Sequence, residues 1–369
     1  MHKDHLKIHP PPIPLVKPAF SKNNVPVVFA SNKKYLPYLA VALHSLIKNS
    51  SEKNNYDICI LCEAGNDLSA DFPLEFFKRQ NVSVRFISCD VAGRVDFSEH
   101  LVRHFSPEAY FRFFIPEIFT AYQKVIYLDV DIIVLNDIAE LFKVKLNKKV
   151  LAAVNTLTKI YNEKEYYTKE LGLKNAENYF CSGVMIFNIP VLQKDNFTAK
   201  CLEKLQEIGK PKAVDQDVLN ALYEGKVLFL PTEWNVFWTL FSEKMVALLR
   251  IKEKYPKEYE NYLHNFKAAK IIHFLGDKPW VYVNEKLSWL WWVYARETPY
   301  YEQILYRNIL SVERMSKQTY RQMERVMMEG SWRWLLLKNI FLSKVVLGKR
   351  RRHYHENVWW LRKYRSEFG

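Results

Sequence analysis

"KVIYLDVDIIVLND" (residues 124–137) is apolar almost throughout, yet Asp129 and Asp131 sit in its middle. Isolated buried carboxylates are costly, so something must compensate these two. On a strand, residues i and i+2 share a face, so both acids can converge on one ion. Following "VIYL", they fall near the strand's carboxyl end. A hard divalent cation accepts carboxylates and keeps positions open for phosphate oxygens. The plainer alternative is a pair of strand-end aspartates that cap backbone or face water. The apolar runs on both sides weigh against it.

Working outward, strand and helix signals alternate. "VPVVFAS" (25–31), "YDICILCE" (56–63) and "VSVRFIS" (82–88) read as strands before the D-x-D segment, with a helix over 35–50. A second helix is expected over 106–119, with Ser106 as N-cap and Pro107 at N1. Afterwards come strands at 150–155, 179–189, 226–231 and 269–274, a polar helix near 191–208 and a helix over 215–224. This order predicts an α/β fold with a mostly parallel sheet and helices on both faces. Ligands of such sheets sit at the carboxyl ends of strands. The chain is read as a Pro-rich arm (1–24), a catalytic domain (25–285) and a helical, aromatic, basic C-terminal region (286–369). In the last, a charged helix over 311–330 would carry a Glu313–Lys317 pair.

Of 369 residues, 49% are hydrophobic and 15% aromatic, which supports a core and excludes global disorder. Only ten glycines occur, and no glycine-rich phosphate loop with a following Lys-Ser/Thr is present. The five cysteines are scattered and odd in number, which suits a reducing compartment. Cys59 and Cys62 would point to opposite faces of one strand, so they read as structural. The N-terminus has no apolar secretory core, and no run is long enough to span a membrane.

Three further segments carry candidate chemistry. In "IIHFLGDKPW" (271–280), His273 could complete a metal shell, Gly276 would permit close backbone approach, and Lys278 could neutralise phosphate. In "AVDQDVLNALYEG" (213–225), Asp215 or Asp217 could simply start a helix, and Gln216 could bond a sugar. In "YFCSGVMIFN" (179–188), Gly183 marks a close approach, and Ser182 could meet a polar ligand. A hydrophobic strand ending in D-x-D also opens phosphatases that form an aspartyl-phosphate. Here Ile132 and Ile133 follow instead of Gly and Thr or Val, and three strand units precede the motif.

Taken in order, "VFASNKKYLPYLAVALHSL", "AYFRFFIPEIF", "KVIYLDVDIIVLNDIAELF", "YFCSGVMIFNI", "DQDVLNALYEGKV" and "IIHFLGDKPW" resemble glycosyltransferase family 8 over roughly residues 25–307. The likeness is to bacterial lipopolysaccharide glucosyl- and galactosyltransferases. It implies a GT-A fold and a retaining hexosyltransferase that uses a UDP-hexose with Mn²⁺ or Mg²⁺. By that resemblance Asp129, Asp131 and His273 ligate the ion, with Val130 between them. Ala30, Ser31, Asn32 and Tyr35 line the nucleoside pocket, and Arg112 reaches the diphosphate or donor sugar. Gly276 and Lys278 grip phosphates, Ser182 and Asp215 face the hexose, and Gln216 lies near the anomeric carbon. Three positions depart from the family. Asn32 replaces an acid that reads the uracil N–H, and its amide oxygen is expected to accept that bond instead. Cys181 stands where Asn is frequent, and Asn155 stands where an acid commonly contacts the donor.

The net charge of +14 is uneven: between residues 331 and 369, ten Lys and Arg face two Glu. That tail reads as an anchor for an anionic membrane surface, on the inner face of the cytoplasmic membrane of a cytoplasmic protein. A helical pair packing on the catalytic domain and a dimer element are the other readings. No nucleic-acid fold signature accompanies the charge. A rival class is a catalytically weak scaffold held at a membrane by the tail.

Overall fold

The computed structural model describes residues 13–65, 67–91, 100, 106–156, 164–237, 251–282, 287–310, 340–342, 344 and 358. In chain order the strands are β1 (Asn24–Ala30), β2 (Asn55–Glu63), β3 (Val82–Cys89), β4 (Lys124–Leu128), β5 (Ile132–Val134), β6 (Leu151–Asn155), β7 (Phe180–Asn188), β8 (Val227–Phe229), β9 (Val236–Phe237) and β10 (Ile271–His273). Seven of them form one sheet, ordered β3-β2-β1-β4-β7-β6-β8, and β5-β10-β9 form a second. The large sheet is mostly parallel, as expected. Its exception is β7, antiparallel to both β4 and β6.

The near-continuous apolar strands follow from burial on both faces. On one face Val27, Phe29, Ile58, Ile60, Ile126 and Leu128 pack with Leu39 and Leu43 of the helix Leu36–Lys48. On the other, Val28, Leu61, Val125 and Tyr127 pack with Phe111 and Phe113. Each such side chain, fully withdrawn from water, contributes about 1.5–3 kcal/mol. Cys59 and Cys62 fall on opposite faces, and both are free thiols.

Two helical expectations change. Residues 106–119 form a 3₁₀ helix (Pro107–Phe114) followed by a short α-helix (Ile115–Ile118), not one α-helix. Pro116 has no N–H to give Arg112 in an α-helical bond, and the Ile115 N–H reaches the Arg112 carbonyl in the tighter pattern. Ser106 is extended, as an N-cap should be, but its hydroxyl makes no capping bond. The stretch 191–208 is split into Ile189–Lys194 and Phe197–Ile208, because Asn196 turns left-handed with φ +52°. The predicted 215–224 helix is Val214–Tyr223.

The described part of the N-terminal arm is tied down. Val16 N–H donates to the Ile118 carbonyl at 2.9 Å, and Ala19 N–H donates to Asp57 Oδ2 at 2.8 Å. Asp57, wholly buried on β2, also accepts from Tyr122 Oη (2.5 Å) and Arg85 Nη2 (2.6 Å). The chain divides into two compact units, Met1–Ile304 and Leu305–Gly369, with the aromatic helix Ser288–Ala295 in the first. The charged helix expected over 311–330, its Glu313–Lys317 pair and most of the basic tail lie outside the described residues. No helix among the described residues is long and apolar enough to cross a membrane.

Candidate active site

A cavity of about 560 Å³ opens where β1 and β4 end. Its wall begins at Ala30, Ser31, Asn32 and Tyr35, passes Glu108 and Arg112, and reaches Asp129, Val130 and Asp131. It continues through Cys181, Ser182 and Gly183 to Asp215 and Gln216, and closes on His273, Gly276 and Lys278. The residues that the resemblance assigns to the ion, the nucleotide and the hexose thus line one cavity, whereas Asn155 and Asp217 do not.

Asp129 and Asp131 do not alternate along one strand. β4 stops at Leu128, and both acids lie in the turn that carries the chain from the large sheet to β5 in the small one. That crossing brings in the third member of the group. β10 pairs antiparallel with β5 so that His273 faces Ile132, and Phe274 N–H donates to the Asp131 carbonyl at 2.8 Å. His273 Nε2 then lies 3.1 Å from Asp131 Oδ1 and 3.8 Å from Asp129 Oδ2. One oxygen or nitrogen from each of the three residues falls within 4.8 Å of the others.

His273 is buried, and its Nδ1 lies 2.9 Å from Asn235 Oδ1. A proton on Nδ1 satisfies Asn235, and release of the Nε2 proton would leave a lone pair facing the two carboxylates for a cation. Burial disfavours the imidazolium, but the Asp131 carboxylate outweighs it and lifts His273 to about 10. Burial would likewise raise Asp131, yet the Lys278 ammonium and His273 hold it well below the usual carboxylate range. Lys278 Nζ bonds Asp131 Oδ2 and also donates to the Phe274 carbonyl at 2.8 Å. Gly276, at φ +76°, makes the turn that returns Lys278 to the acids.

Two carboxylates and an imidazole are a donor set for a divalent cation. Gly183 completes the fit. A Cβ there would strike the His273 ring and lie 2.7 Å from Asp129 Oδ2. Only a glycine lets β7 run this close behind the acids.

Arg112, 4% exposed, is held by protein acceptors: Asp129 Oδ1 (2.9 Å from Nη2), the Ser182 carbonyl (2.8 Å from Nη1) and the Ala109 carbonyl (2.9 Å from Nε). Its Nη1 also lies 3.0 Å from Asp215 Oδ2, and the guanidinium stacks 4.2 Å over the Tyr127 ring. Burial opposes its charge, but Asp215 and Asp129 outweigh that and keep it cationic. Arg112 therefore orients two acids of the cavity.

Asp215 is 2% exposed, and its Oδ2 meets Arg112 Nη1 as an ion pair without hydrogen-bond geometry. Burial pushes its carboxyl up to about 7, against the pull of Arg112. Just before it, Val214 adopts φ +42°, an outlier for a β-branched residue. Gln216 is fixed at both ends, accepting from Ser182 N–H (3.0 Å) and donating to Tyr179 Oη (3.1 Å). Asp217 points elsewhere. It accepts from Tyr166 Oη (2.6 Å), Tyr179 Oη and the Ala213 N–H (2.8 Å), so it anchors the helix start. Asn155 donates to the Glu177 carbonyl, and the neighbouring Thr156 lines the cavity instead. Cys181 Sγ lies 4.0 Å from His273 Nδ1.

Asn32 differs from expectation. Its Oδ1 accepts from the backbone N–H groups of Lys34 (3.1 Å) and Tyr35 (3.3 Å), and its Nδ2 donates to Glu108 Oε2 at 3.1 Å. The Tyr35 N–H also donates to the Asn32 carbonyl at 3.0 Å, so the amide oxygen is engaged by the backbone of its own turn. Sequence reasoning also passed over Asn235, Tyr167, Tyr179 and Phe237. A lone Asn ahead of a two-residue strand, or tyrosines in a polar stretch, gave no periodic signal.

The sequence profile of Glycosyl transferase family 8 matches residues 26–284. The chain belongs to glycosyltransferase family 8. Among similar proteins, glycosyltransferase GlyB of Streptococcus pneumoniae is 26% identical over 281 residues, 74% of this chain and 62% of that protein. The lipopolysaccharide 1,2-glucosyltransferase of Escherichia coli is 26% identical over 259 residues, 69% of this chain and 72% of that protein. Among solved structures, the bifunctional glycosyltransferase WbbM aligns with a TM-score of 0.67 and 27% identity over 80% of this chain and 53% of its own. The galactosyltransferase LgtC, solved with donor and acceptor sugar analogues, aligns at 0.60 with 21% identity over 74% of this chain and 96% of its own, a likeness of fold. The architecture is GT-A. Several relatives extend well beyond what this chain matches, which spans 62% of GlyB. Family membership sets aside the phosphatase reading of Asp129 and Asp131.

Proposed function

We propose that this chain is a retaining hexosyltransferase that moves glucose or galactose from a UDP-sugar to a saccharide or glycolipid acceptor in lipopolysaccharide or other surface-glycan synthesis. The observation that carries this reading is the meeting of Asp129, Asp131 and His273 within 4.8 Å, with Lys278 beside them. Asp129, Asp131 and His273 would hold Mn²⁺ or Mg²⁺, which supplies positive charge to the diphosphate leaving group.

The remaining steps belong to the chain. Lys278 adds a point charge where the leaving group gains negative charge, which favours the transition state over the bound substrate. Sheet order supports a layout with the nucleoside at β1, the diphosphate at the β4 turn and the hexose toward β7 and the helix Val214–Tyr223. Asp215 Oδ2, ion-paired with Arg112 Nη1 at 3.0 Å but outside hydrogen-bond geometry, has a lone pair that suits a sugar hydroxyl. Gln216, with both amide ends engaged, is a weak nucleophile. We assign it to positioning and take the acceptor to attack from the leaving-group side, its proton passing to the departing phosphate oxygen.

The test is a thermal-shift panel of UDP-glucose, UDP-galactose, UDP-N-acetylglucosamine and GDP-mannose, each with and without Mn²⁺, followed by UDP-release assays. A shift that needs both Mn²⁺ and a UDP-hexose, with UDP released, is expected. Binding without release would favour the scaffold reading. The basic tail is assigned to the inner face of the cytoplasmic membrane, where its charge would meet anionic headgroups.

A further inference from the structure

We propose that Glu108, and not Asn32, reads the base of the nucleotide, accepting the ring N–H of a uracil while the Asn32 amide donates to the adjacent carbonyl. The inference rests on reading the cavity as a nucleotide-sugar site. Asn32 stands at the carboxyl end of β1, where the nucleoside end of the cavity begins. Its Oδ1 already accepts two backbone N–H groups at 3.1 and 3.3 Å, and an amide oxygen has two lone pairs. The Tyr35 N–H is shared with the Asn32 carbonyl at 3.0 Å, and both contacts engage Oδ1 with the backbone of its own turn.

Its Nδ2 has two hydrogens, and one goes to Glu108 Oε2 at 3.1 Å. The pair therefore presents one amide hydrogen and a carboxylate side by side on the cavity wall. Glu108 comes from the 3₁₀ helix Pro107–Phe114, 76 residues away in sequence. It is half-buried, and the cavity is lined there also by Ala30, Tyr35 and Ala109. The Tyr35 phenol is raised by burial, and Lys278, Asp131 and Glu108 all act on it. Tyr35 is thus near enough to feel both the base-reading carboxylate and the phosphate-facing cluster.

Uracil presents a ring N–H between two carbonyls, which this donor–acceptor pair complements. Cytosine presents an unprotonated ring nitrogen at the same place, and its lone pair would face the Glu108 carboxylate. A site built around a specific hydrogen bond rejects the analogue that lacks it strongly. The device is therefore a selector for UDP over CDP, two nucleotides of the same size.

Calorimetric titration with UDP and CDP, each in the presence of Mn²⁺, tests this on the full chain, E108A, E108Q, N32D and the double variant N32D/E108A. The unsubstituted chain should prefer UDP by at least tenfold. E108A should lose about 10–100-fold in UDP affinity with little change for CDP. E108Q should fall between, keeping side-chain volume in case E108A perturbs the fold. N32D alone should also weaken UDP, because a second carboxylate oxygen would then face Glu108 Oε2. The double variant should recover UDP preference, since N32D supplies an acceptor where the amide nitrogen was. Recovery is what a merely structural Glu108 would not give. Unchanged UDP affinity and UDP:CDP ratio in E108A, or no recovery in the double variant, overturns the assignment to Glu108. Failure of the unsubstituted chain to bind UDP with Mn²⁺ overturns the nucleotide-sugar reading itself, and this inference with it.

Discussion

A methyl group at position 183 would enter the His273 ring and come within 2.7 Å of Asp129 Oδ2. His273 cannot move aside freely, because Asn235 fixes its other nitrogen at 2.9 Å. Gly183→Ala should therefore weaken Mn²⁺ binding by about 100-fold, the upper range for disturbing a ligand's support. The fold should persist, since the clash falls on two side chains. Calorimetric Mn²⁺ titration checks this, and wild-type affinity in the variant would show that the acids are not confined by β7. Asp215 makes a prediction about pH. Its carboxyl titrates near 7 in the folded chain, raised by burial, against about 3.9 when unfolded. Between those values the folded state holds a proton that the unfolded state has released. This group's contribution to stability thus falls as pH rises through the window and is flat above it. Between pH 5 and 7, without divalent cation, the wild type should lose about 2 kcal/mol more than Asp215→Asn. Parallel urea titrations at each pH measure the difference, and equal slopes would refute it. The metal-facing residues were legible because acids inside an apolar run are conspicuous. Asn235 and Glu108 were not, because their partners His273 and Asn32 lie 38 and 76 residues away.

Among elements, the strands were the most readable. β1, β2 and β4 carry apolar side chains on both faces, and each stands out as an apolar run, interrupted in β2 by Asp57. Direction was hidden, because the period of a strand is the same either way round. That is why the reversal of β7 and the separate sheet β5-β10-β9 emerge only from the structure. The sheet change also explains why Asp129 and Asp131 meet His273 at a turn rather than along a strand face. Helix type was hidden too. Tyr110 through Phe114 are all buried, so residues 107–114 offer no apolar stripe whose period could separate 3₁₀ from α. One element-level feature carries a stability prediction. Asp57 on β2 binds the arm through Ala19 N–H, the chain before β4 through Tyr122, and β3 through Arg85. Asp57→Ala would leave these donors around a buried gap. Removing one partner of a buried pair costs about 3–5 kcal/mol. Denaturant unfolding should show a loss of that size, with faster proteolysis in residues 13–23. A loss below about 1 kcal/mol would mean that the arm and strands hold without this carboxylate.

At the scale of the whole molecule, the site and the densest positive charge fall in different stretches of the sequence. The first compact unit, Met1–Ile304, contains the whole cavity, whereas the densest basic run, Lys349–Arg352, belongs to Leu305–Gly369. The partner proposed for the tail is an anionic membrane surface. Each basic residue close to an anionic leaflet contributes about 1 kcal/mol. If about half of the ten in residues 331–369 reach it, binding gains roughly 5 kcal/mol, or three to four orders of magnitude. The Debye length falls from about 10 Å at 0.1 M salt to about 3 Å at 1 M, so that gain should vanish at high salt. The full chain should sediment with phosphatidylglycerol-containing vesicles at 0.1 M NaCl, stay in solution with phosphatidylcholine alone, and be released at 1 M. Lys349→Glu combined with Arg350→Glu, Arg351→Glu and Arg352→Glu should abolish sedimentation while leaving the UDP–Mn²⁺ thermal shift in place. Sedimentation that survives the four substitutions would assign these charges to packing on the protein, and a lost UDP–Mn²⁺ shift would tie the second unit to the folding of the first.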